Sequence, residues 1–264
     1  MCYDIEFSCI SNIGNVRKIN QDNFICNNQY IKEGNLQREI MMSGNNNSKR
    51  YTLFGIFDGM GGEERGEVAS YIAAQEAYHI NYQKDNCFTL ENYCKEANKK
   101  ICKYAKENNV FAMGTTAAML LFYKDEVTLC NIGDSKIFHF TNININQLSK
   151  DHIAISSYGK KPPLLQNLGI PPEQLIIEPY LLQSRCKNGD KYLICSDGLT
   201  DMVSIDEIKD IVDNNSTEEA ALKLTNRALE NGGKDNITVI VLEVKNIKNR
   251  LFKIFDKNIG GNLK

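Results

Sequence analysis

Five short aspartate motifs are spread along the chain, and each lies beside a stretch that reads as a strand end or a turn. An aspartate that ends an apolar strand next to glycine is a hard oxygen ligand on a rigid support, with room beside it for a substrate. One such motif is often only a turn, but five together predict one metal centre assembled from the whole domain. The motifs are Asn20-Gln21-Asp22, Asp58-Gly59-Met60-Gly61-Gly62, Gly133-Asp134-Ser135, Ser196-Asp197-Gly198-Leu199-Thr200-Asp201 and Lys234-Asp235-Asn236.

Length and charge limit the classes of protein. The 264 residues contain no long linker rich in proline, glycine and serine, which predicts a single domain over residues 1–246, followed by a basic, solvated tail over 247–264. A net charge of -2 argues against a nucleic-acid surface. No apolar run approaches the roughly 20 residues that cross a bilayer, and Asp4 and Glu6 stand where a signal peptide carries bases. We therefore expect a cytoplasmic protein that contacts neither nucleic acid nor membrane.

The cysteines predict reduced and mostly buried thiols. Nine is an odd number, Cys-x-x-Cys is absent from the sequence, and Cys130 and Cys195 lie within apolar runs. The same lack of paired cysteine and histidine spacing argues against structural zinc. The three histidines, His79, His139 and His152, are too scattered to propose as ligands.

Hydrophobic periodicity predicts the strands. Alternation from Tyr3 to Cys9 is typical of a strand with one buried face. The Asn-rich segment from Gly44 to Ser48 is predicted to be a hairpin connection, and 115–140 an antiparallel meander. Residues 153–188 carry all five prolines and are predicted to form an irregular surface flap. Further strands are predicted at 24–26, 51–57, 116–122, 126–132, 136–140, 191–195 and 237–244.

Four helices are predicted among these strands. Apolar residues at three- and four-residue intervals predict one helix from after Gly62 to Tyr82 and a second over 90–108. The capping boxes Ser204-x-x-Glu207 and Ser216-x-x-Glu219 announce two more. The order of strands, two helices, strands, two helices and a strand lacks the alternation of a parallel sheet, and it favours an α+β sandwich.

Carboxylate ligands predict the kind of metal and its chemistry. Ligand sets made only of oxygen select Mg²⁺ or Mn²⁺, and two such ions about 3.5–4 Å apart activate a shared water and clamp a phosphoryl group. Asp58 is the natural bridge between two ions. Arg17, five residues before Asp22, is placed to bind phosphate oxygens, although an isolated arginine has a surface role as its alternative. The structural alternatives are a turn for Asp58 and Asp235, a hairpin residue for Asp134 and a carboxylate near a helix start for Asp201.

From about Phe7 to Val244, the ordered motifs resemble those of the type 2C, metal-dependent serine/threonine protein phosphatases, in the form typical of bacteria. Each segment is weak alone, but their order and spacing together are specific. The matching segments are 14–22, 57–62, 114–116, 131–135, 148–152, 196–201 and 234–238.

The resemblance implies a four-layer αββα sandwich, with two antiparallel sheets between helices and the metal ions at one end between the sheets. It also implies a role for each motif residue. Asp58, Asp197 and Asp235 would hold one ion, Asp58 and the Gly59 carbonyl the second ion, and Asp22 would bind that second ion through water. Asp134 and Asp201, with Asp197, match a weaker third metal site, and Arg17 matches the phosphate-binding arginine.

Three departures from the family pattern stand out. Gln21 replaces a glutamate found in many members, which removes a charged contact to the second ion. Met60 stands where eukaryotic members have a histidine, and Glu63 where several bacterial relatives have one, so the proton donor to the leaving group is unassigned. The flap that follows Asp151 is shorter than the resemblance leads one to expect.

The expected function is hydrolysis of phosphoserine and phosphothreonine in proteins by a water that bridges two Mn²⁺ or Mg²⁺ ions. The substrates would be phosphoproteins made by a serine/threonine kinase, and a monomer is expected. One alternative is a phosphoprotein-binding module of the same fold that has lost turnover, against which the retained Asp58, Asp197 and Asp235 argue. The other alternative is a phosphatase for small phosphate esters.

Overall fold

The computed structural model describes residues 1–35, 37–60, 65–141, 144–155 and 162–247. The strands within these ranges are β1 (Tyr3–Asn12), β2 (Asp22–Ile25), β3 (Glu39–Asn47), β4 (Thr52–Met60), β5 (Gly114–Thr115), β6 (Ala117–Tyr123), β7 (Glu126–Ile132), β8 (Lys136–Phe140), β9 (Ile145–Gln147), β10 (Tyr180–Arg185), β11 (Lys191–Cys195) and β12 (Ile237–Asn246). The helices are α1 (Gly66–Tyr78), α2 (Asn86–Glu107), α3 (Asp197–Thr200), α4 (Ile205–Asp213) and α5 (Thr217–Glu230).

The strands form two sheets in which every described pairing is antiparallel. The first sheet has the order β3-β1-β12-β11-β8-β9, and the second has the order β10-β7-β6-β4-β2, with β5 pairing to β4. β1 and β12, from opposite ends of the described chain, lie side by side over their whole length, from Tyr3 opposite Asn246 to Asn12 opposite Ile237. The interior of the first sheet therefore contains strands from the two ends of the described chain.

The molecule has four layers, and an apolar cluster fills each of the three spaces between them. An aromatic-rich cluster that includes Phe7, Phe54, Phe122 and Tyr192 fills the space between the sheets. α1 and α2 cover the outer face of the second sheet, and α3, α4 and α5 cover the outer face of the first. The αββα sandwich predicted from the sequence is confirmed.

Strand β1 is buried on both faces, which corrects the prediction of a single buried face. The polar positions Asp4 and Ser8 are only 4% and 2% exposed. One face of β1 meets the second sheet, and α5 packs against the other. Asp4 tolerates this burial in part because its Oδ1 accepts a hydrogen bond from Asn47 Nδ2 at 3.1 Å.

The Asn-rich segment around Gly44 is part of a strand, and its prediction as a hairpin connection is wrong. It forms the second half of β3, paired with β1 from Asp4 opposite Asn47 to Asn12 opposite Glu39. A Cβ on Gly44 would lie 3.0 Å from the ring of Phe7, so glycine lets β3 approach that ring closely. Pairing with β1 therefore overrides the turn propensity of asparagine.

The predicted meander over 115–140 is only partly correct. β6 and β7 form a hairpin, but β8 crosses into the first sheet and pairs with β11 and β9. The crossing occurs at Gly133, whose φ of +102° is a conformation that side chains rarely adopt. The segment 153–188 also departs from its prediction as wholly irregular, because β10 pairs with β7. Residues 156–161 of that flap lie outside the described residues.

The four predicted helices form at their predicted positions with shifted ends, and the short helix α3 was not predicted. α1 ends at Tyr78, four residues before the predicted end, and α2 begins at Asn86, where Asp85 accepts a hydrogen bond from Phe88 N at 3.1 Å. The capping box of α5 is complete, since Ser216 and Glu219 bond reciprocally. In α4 only the half in which Ser204 accepts from Glu207 N is formed.

The nine cysteines all lie within the described part of the chain, and six of them are buried, in agreement with the predicted burial. Across the described ranges, no helix has the length and apolar character that a bilayer crossing requires. The tail beyond residue 247 lies outside the described residues, and the predicted boundary of the domain at residue 246 stays a prediction.

Candidate metal centre

A cavity of about 330 Å³ at one end of the sandwich gathers most of the predicted site residues. It lies between the C-terminal end of β4 in the second sheet and, in the first sheet, the C-terminal end of β11 and the start of β12. Gln21, Met60, Thr116 and residues 162–164 also line it. The predicted site residues that line it are Arg17, Asp58, Gly59, Asp134, Asp197 and Asp235.

Asp58 is held by its backbone from two sides. In the antiparallel register it lies directly opposite Asp22 of β2, so the two side chains share one face of the sheet. Asp58 N donates to Thr116 Oγ1 at 3.0 Å, and Asp58 O accepts from Thr116 N at 2.9 Å and from Thr115 Oγ1 at 3.0 Å. The Thr116 hydroxyl also bonds Ser135 Oγ at 2.7 Å, which joins Asp58 to the crossing between β7 and β8.

Glycine at position 59 is required by close backbone contacts. Gly59 N donates to Gln21 O at 3.0 Å. A Cβ at this position would lie 2.5 Å from Gln21 O and 2.2 Å from Gly66 O at the start of α1. Gly59 therefore lets β4, the Gln21 loop and α1 meet at one point. Gly61 and Gly62 of the same motif lie outside the described residues.

Asp197 is the first residue of α3, which sits tightly on the start of β12. A Cβ on Gly198 would lie 1.9 Å from Asn236 O and 3.4 Å from Asp235 Cβ. The Asn236 side chain also ties down the loop that carries Arg17, because it accepts from Gln21 N at 2.8 Å and donates to the carbonyls of Ile13 and Ile19. Asp197, Asp235 and Arg17 are thus positioned by one network of contacts.

Asp235 forms an ion pair with Arg17, with 2.7 Å between Arg17 Nη2 and Asp235 Oδ2. Both side chains are partly exposed, at 46% for Arg17 and 30% for Asp235, so the pair lies at the mouth of the cavity. Within the ranges that the structure describes, no three His, Cys, Asp or Glu side chains converge as a ready-made metal cage. The carboxylate oxygens in this cavity are ligands that suit Mg²⁺ or Mn²⁺. Their side chains would have to move closer together to coordinate an ion.

Asp22 lies beneath the cavity and does not line it. Its side chain is 3% exposed, and its Oδ2 accepts from Ser196 Oγ at 2.8 Å and from Thr238 Oγ1 at 2.7 Å. Burial raises the pKa of Asp22 to about 6, against the opposing effect of these two hydrogen bonds. The hydroxyls therefore fix this carboxylate between the two sheets.

The two residues predicted for a third ion differ in position. Asp134 is buried and lines the cavity, and the hairpin alternative for it is wrong, because β7 and β8 belong to different sheets. Asp201 is exposed at the C-terminal end of α3, where its N donates to Asp197 O at 2.8 Å, and it does not line the cavity. Its alternative, a carboxylate near the start of the following helix, stays open, because α4 begins four residues later at Ile205.

The residues that hold the carboxylates in place by hydrogen bonds were not predicted from the sequence. They are hydroxyls and an amide next to the aspartate motifs, and they contribute through hydrogen bonds across the fold. Their only local signal is this adjacency, since a polar side chain that ends a buried strand needs a partner. The residues are Thr116, Ser135, Ser196, Asn236 and Thr238.

Comparison with known proteins places this chain in a family. The family model described as protein phosphatase 2C matches residues 42–237. The serine/threonine phosphatase stp of Listeria welshimeri is 31% identical over 211 residues, which cover 71% of this chain and 82% of that protein. The serine/threonine protein phosphatase PstP of Mycobacterium tuberculosis is 31% identical over 222 residues, which cover 77% of this chain. The chain spans 43% of the length of PstP.

The fold of this chain is similar to that of a solved structure over nearly its whole length. The catalytic domain of PstP, in complex with two manganese ions, superposes with a TM-score of 0.75 at 26% sequence identity. The match covers 93% of this chain and 100% of that one. Since the motifs, the family model and the fold coincide, the chain belongs to the protein phosphatase 2C family.

Proposed function

We propose that this protein hydrolyses phosphoserine and phosphothreonine in other proteins with the help of Mn²⁺ or Mg²⁺. The observation that carries the proposal is the cavity in which Arg17 meets the carboxylates of Asp58, Asp134, Asp197 and Asp235. Membership of the protein phosphatase 2C family and the two manganese ions in the PstP catalytic domain support it. The expected substrates are phosphoproteins made by a serine/threonine kinase.

Charge explains why the proposed activity depends on metal ions. Among the described residues that line the cavity, four carboxylates face one cationic side chain, Arg17. A phosphate monoester is a dianion that these four carboxylates repel, so cations bound between them would favour its entry. Divalent ions held there would supply that positive charge, polarise the phosphoryl oxygens and lower the pKa of a bound water.

The proposed ligand set follows the family pattern. Asp58, Asp197 and Asp235 would hold one ion, and Asp58 with the Gly59 carbonyl the second. Asp22 would support the second ion through water, in keeping with its buried place opposite Asp58. A third ion would use Asp134 and Asp197, with Asp201 as its most exposed ligand.

Arg17 has two partners in this proposal. Its guanidinium pairs with Asp235 at the cavity mouth, and a phosphate group would compete for the same fork of N–H donors. Arg17 would then orient the phosphate while Asp235 turns to its metal ion. The chain offers no histidine at position 60, where Met60 lines the cavity, so the proton donor stays unassigned.

The test is hydrolysis of a phosphothreonine peptide by the full chain, with Mn²⁺, with Mg²⁺ and with chelator. Asp197→Asn should lower kcat/KM at least about a hundredfold, since it removes a direct ligand of the metal. Asp206→Asn, an exposed aspartate on α4, is the matched control and should leave activity unchanged. Turnover in chelator, or full activity of Asp197→Asn, would overturn the proposal. Faster hydrolysis of small phosphate esters than of any peptide would favour the metabolite alternative.

A further inference from the structure

A second and larger cavity, of about 730 Å³, adjoins the proposed active site. It is a groove between the C-terminal half of α2 and the segment 167–174. Met60 lines both this groove and the cavity of the metal centre, and it pairs with Gly114 of β5 at the base of the groove. The groove therefore opens directly beside the place where a phosphorylated residue would react.

The walls of the groove are fixed to one another by hydrogen bonds. The Asn98 side chain of α2 donates to Ile170 O at 2.9 Å and accepts from Gly169 N at 2.6 Å. Thr115 and Leu168 exchange two backbone hydrogen bonds of 2.9 Å. These contacts tie α2 and β5 to the segment 167–174, so the groove is preformed and a ligand need not organise it.

The lining combines an apolar floor with lysines along one edge. Val110, Met113 and Ile170 supply apolar surface. Three lysines of α2 at positions 99, 103 and 106 follow helical spacing, so they project along one face of the helix toward the groove. Among the described lining residues, Glu173 is the one acidic side chain.

These lysines are available to a ligand. All three are exposed, and Lys103 has only a loose ion pair, at 3.8 Å from Glu107 Oε1. For Lys99 and Lys106, the described part of the chain supplies no ion-pair partner within 4 Å. The local charge is positive although the whole chain carries -2, which makes the groove complementary to an acidic partner.

We propose that this groove binds the acidic segment that flanks the phosphorylated residue of a phosphoprotein substrate, and that Lys99 and Lys106 select for acidic residues in it. The inference rests on the proposed function, because the segment is held next to the metal centre through its own phosphorylated residue. Apolar side chains of the same segment would cover the floor around Ile170. A volume of about 730 Å³ is within the range of ligand-binding clefts.

The experiment compares phosphothreonine peptides that carry aspartates on one side or the other of the phosphorylated residue with the same peptides carrying asparagines. They are tested on wild type, on Lys99→Glu/Lys106→Glu, and on the control Lys49→Glu/Lys84→Glu, which makes the same charge change at exposed lysines outside the groove. Wild type should favour an aspartate peptide. In the groove variant, the KM for the aspartate peptide should rise roughly tenfold while kcat stays the same. The kinetic constants for the asparagine peptide and for a small aryl phosphate should not change. The control variant should behave as wild type.

A second measurement separates this inference from the proposed function. A fluorescent aspartate peptide without phosphate should bind wild type and the control variant, and bind the groove variant about tenfold more weakly, at low ionic strength. If no phosphorylated substrate is hydrolysed, the proposed function fails, while this binding still decides the role of the groove. Equal KM values for aspartate and asparagine peptides, equal losses in both double variants, or equally tight binding of an asparagine peptide would overturn the inference.

Discussion

Replacing Gly198 with alanine tests whether the contact between α3 and β12 positions the metal centre. The new Cβ would lie 1.9 Å from Asn236 O and 2.9 Å from Asn236 C. Real Cβ contacts stay above about 3 Å, so either α3 or the start of β12 must move by roughly 1 Å, because closely packed backbone cannot yield as a flexible side chain does. That movement would separate Asp197 from Asp235.

The expected loss follows from that displacement. A misplacement of about 1 Å in a catalytic constellation costs on the order of 100-fold in rate, or about 3 kcal/mol of transition-state stabilisation. The strain should also lower the free energy of unfolding by roughly 1–3 kcal/mol, although alanine favours helix more than glycine by about 1 kcal/mol. We expect the Mn²⁺ concentration for half-maximal activity to rise about 10- to 100-fold.

The assay is hydrolysis of an aryl phosphate as a function of Mn²⁺ concentration, beside denaturant unfolding of the same samples. Gly189→Ala is the control, because its φ of +91° strains an alanine while its Cβ meets nothing within 4 Å. That variant should lose stability yet keep wild-type activity and metal affinity. Wild-type metal affinity and rate in Gly198→Ala would refute the positioning role of this contact.

Three further substitutions probe the carboxylates and the core. Burial raises the pKa of Asp22 to about 6, above roughly 3.9 in an unfolded chain, so its contribution to stability is full below about pH 4 and lost as pH rises through 6. In chelator, the free energy of unfolding measured with urea should therefore fall by up to about 3 kcal/mol across that range, and Asp22→Asn should flatten the fall. Thr116→Val removes the acceptor of the Asp58 N–H and should cost about 1–3 kcal/mol by urea unfolding and lower kcat. Phe54→Ala, between the sheets, should cost about 3–5 kcal/mol by the same measurement while the remaining folded protein keeps its metal dependence.

The sequence predicted a helix or strand correctly where the residues that stabilise it lie within the element itself. The capping box at Ser216 and the apolar run of β12 predicted their elements because the stabilising contacts lie within the segment itself. The Asn-rich half of β3 has no such signal, since it becomes a strand through its pairing with β1. β8 is similar in this respect, because the connection through Gly133 is as short as a hairpin turn and yet leads to the other sheet.

The residues of the candidate site also fall into those that a local motif predicts and those that it does not. Asp58 and Asp197, each followed by glycine, could be predicted to lie in one site, because the short motif carries both the carboxylate and the residue that allows close backbone approach. The groups that hold Asp22 could not, since Ser196 and Thr238 are 174 and 216 residues away in the chain. Their role depends on the pairing of distant strands, which no local spacing records.

The position of β12 has a consequence for the order of assembly during synthesis. This strand lies between β1 and β11, so until it is made the first sheet is split into two parts with unpaired inner edges. Asp235 and the hydroxyl of Thr238, which bonds Asp22, arrive with the same stretch of chain. We therefore expect a ribosome-bound chain that stops before residue 235 to be incomplete in its first sheet and unable to carry out the proposed hydrolysis of phosphoproteins. Closure of the fold and onset of activity would then be a single late event.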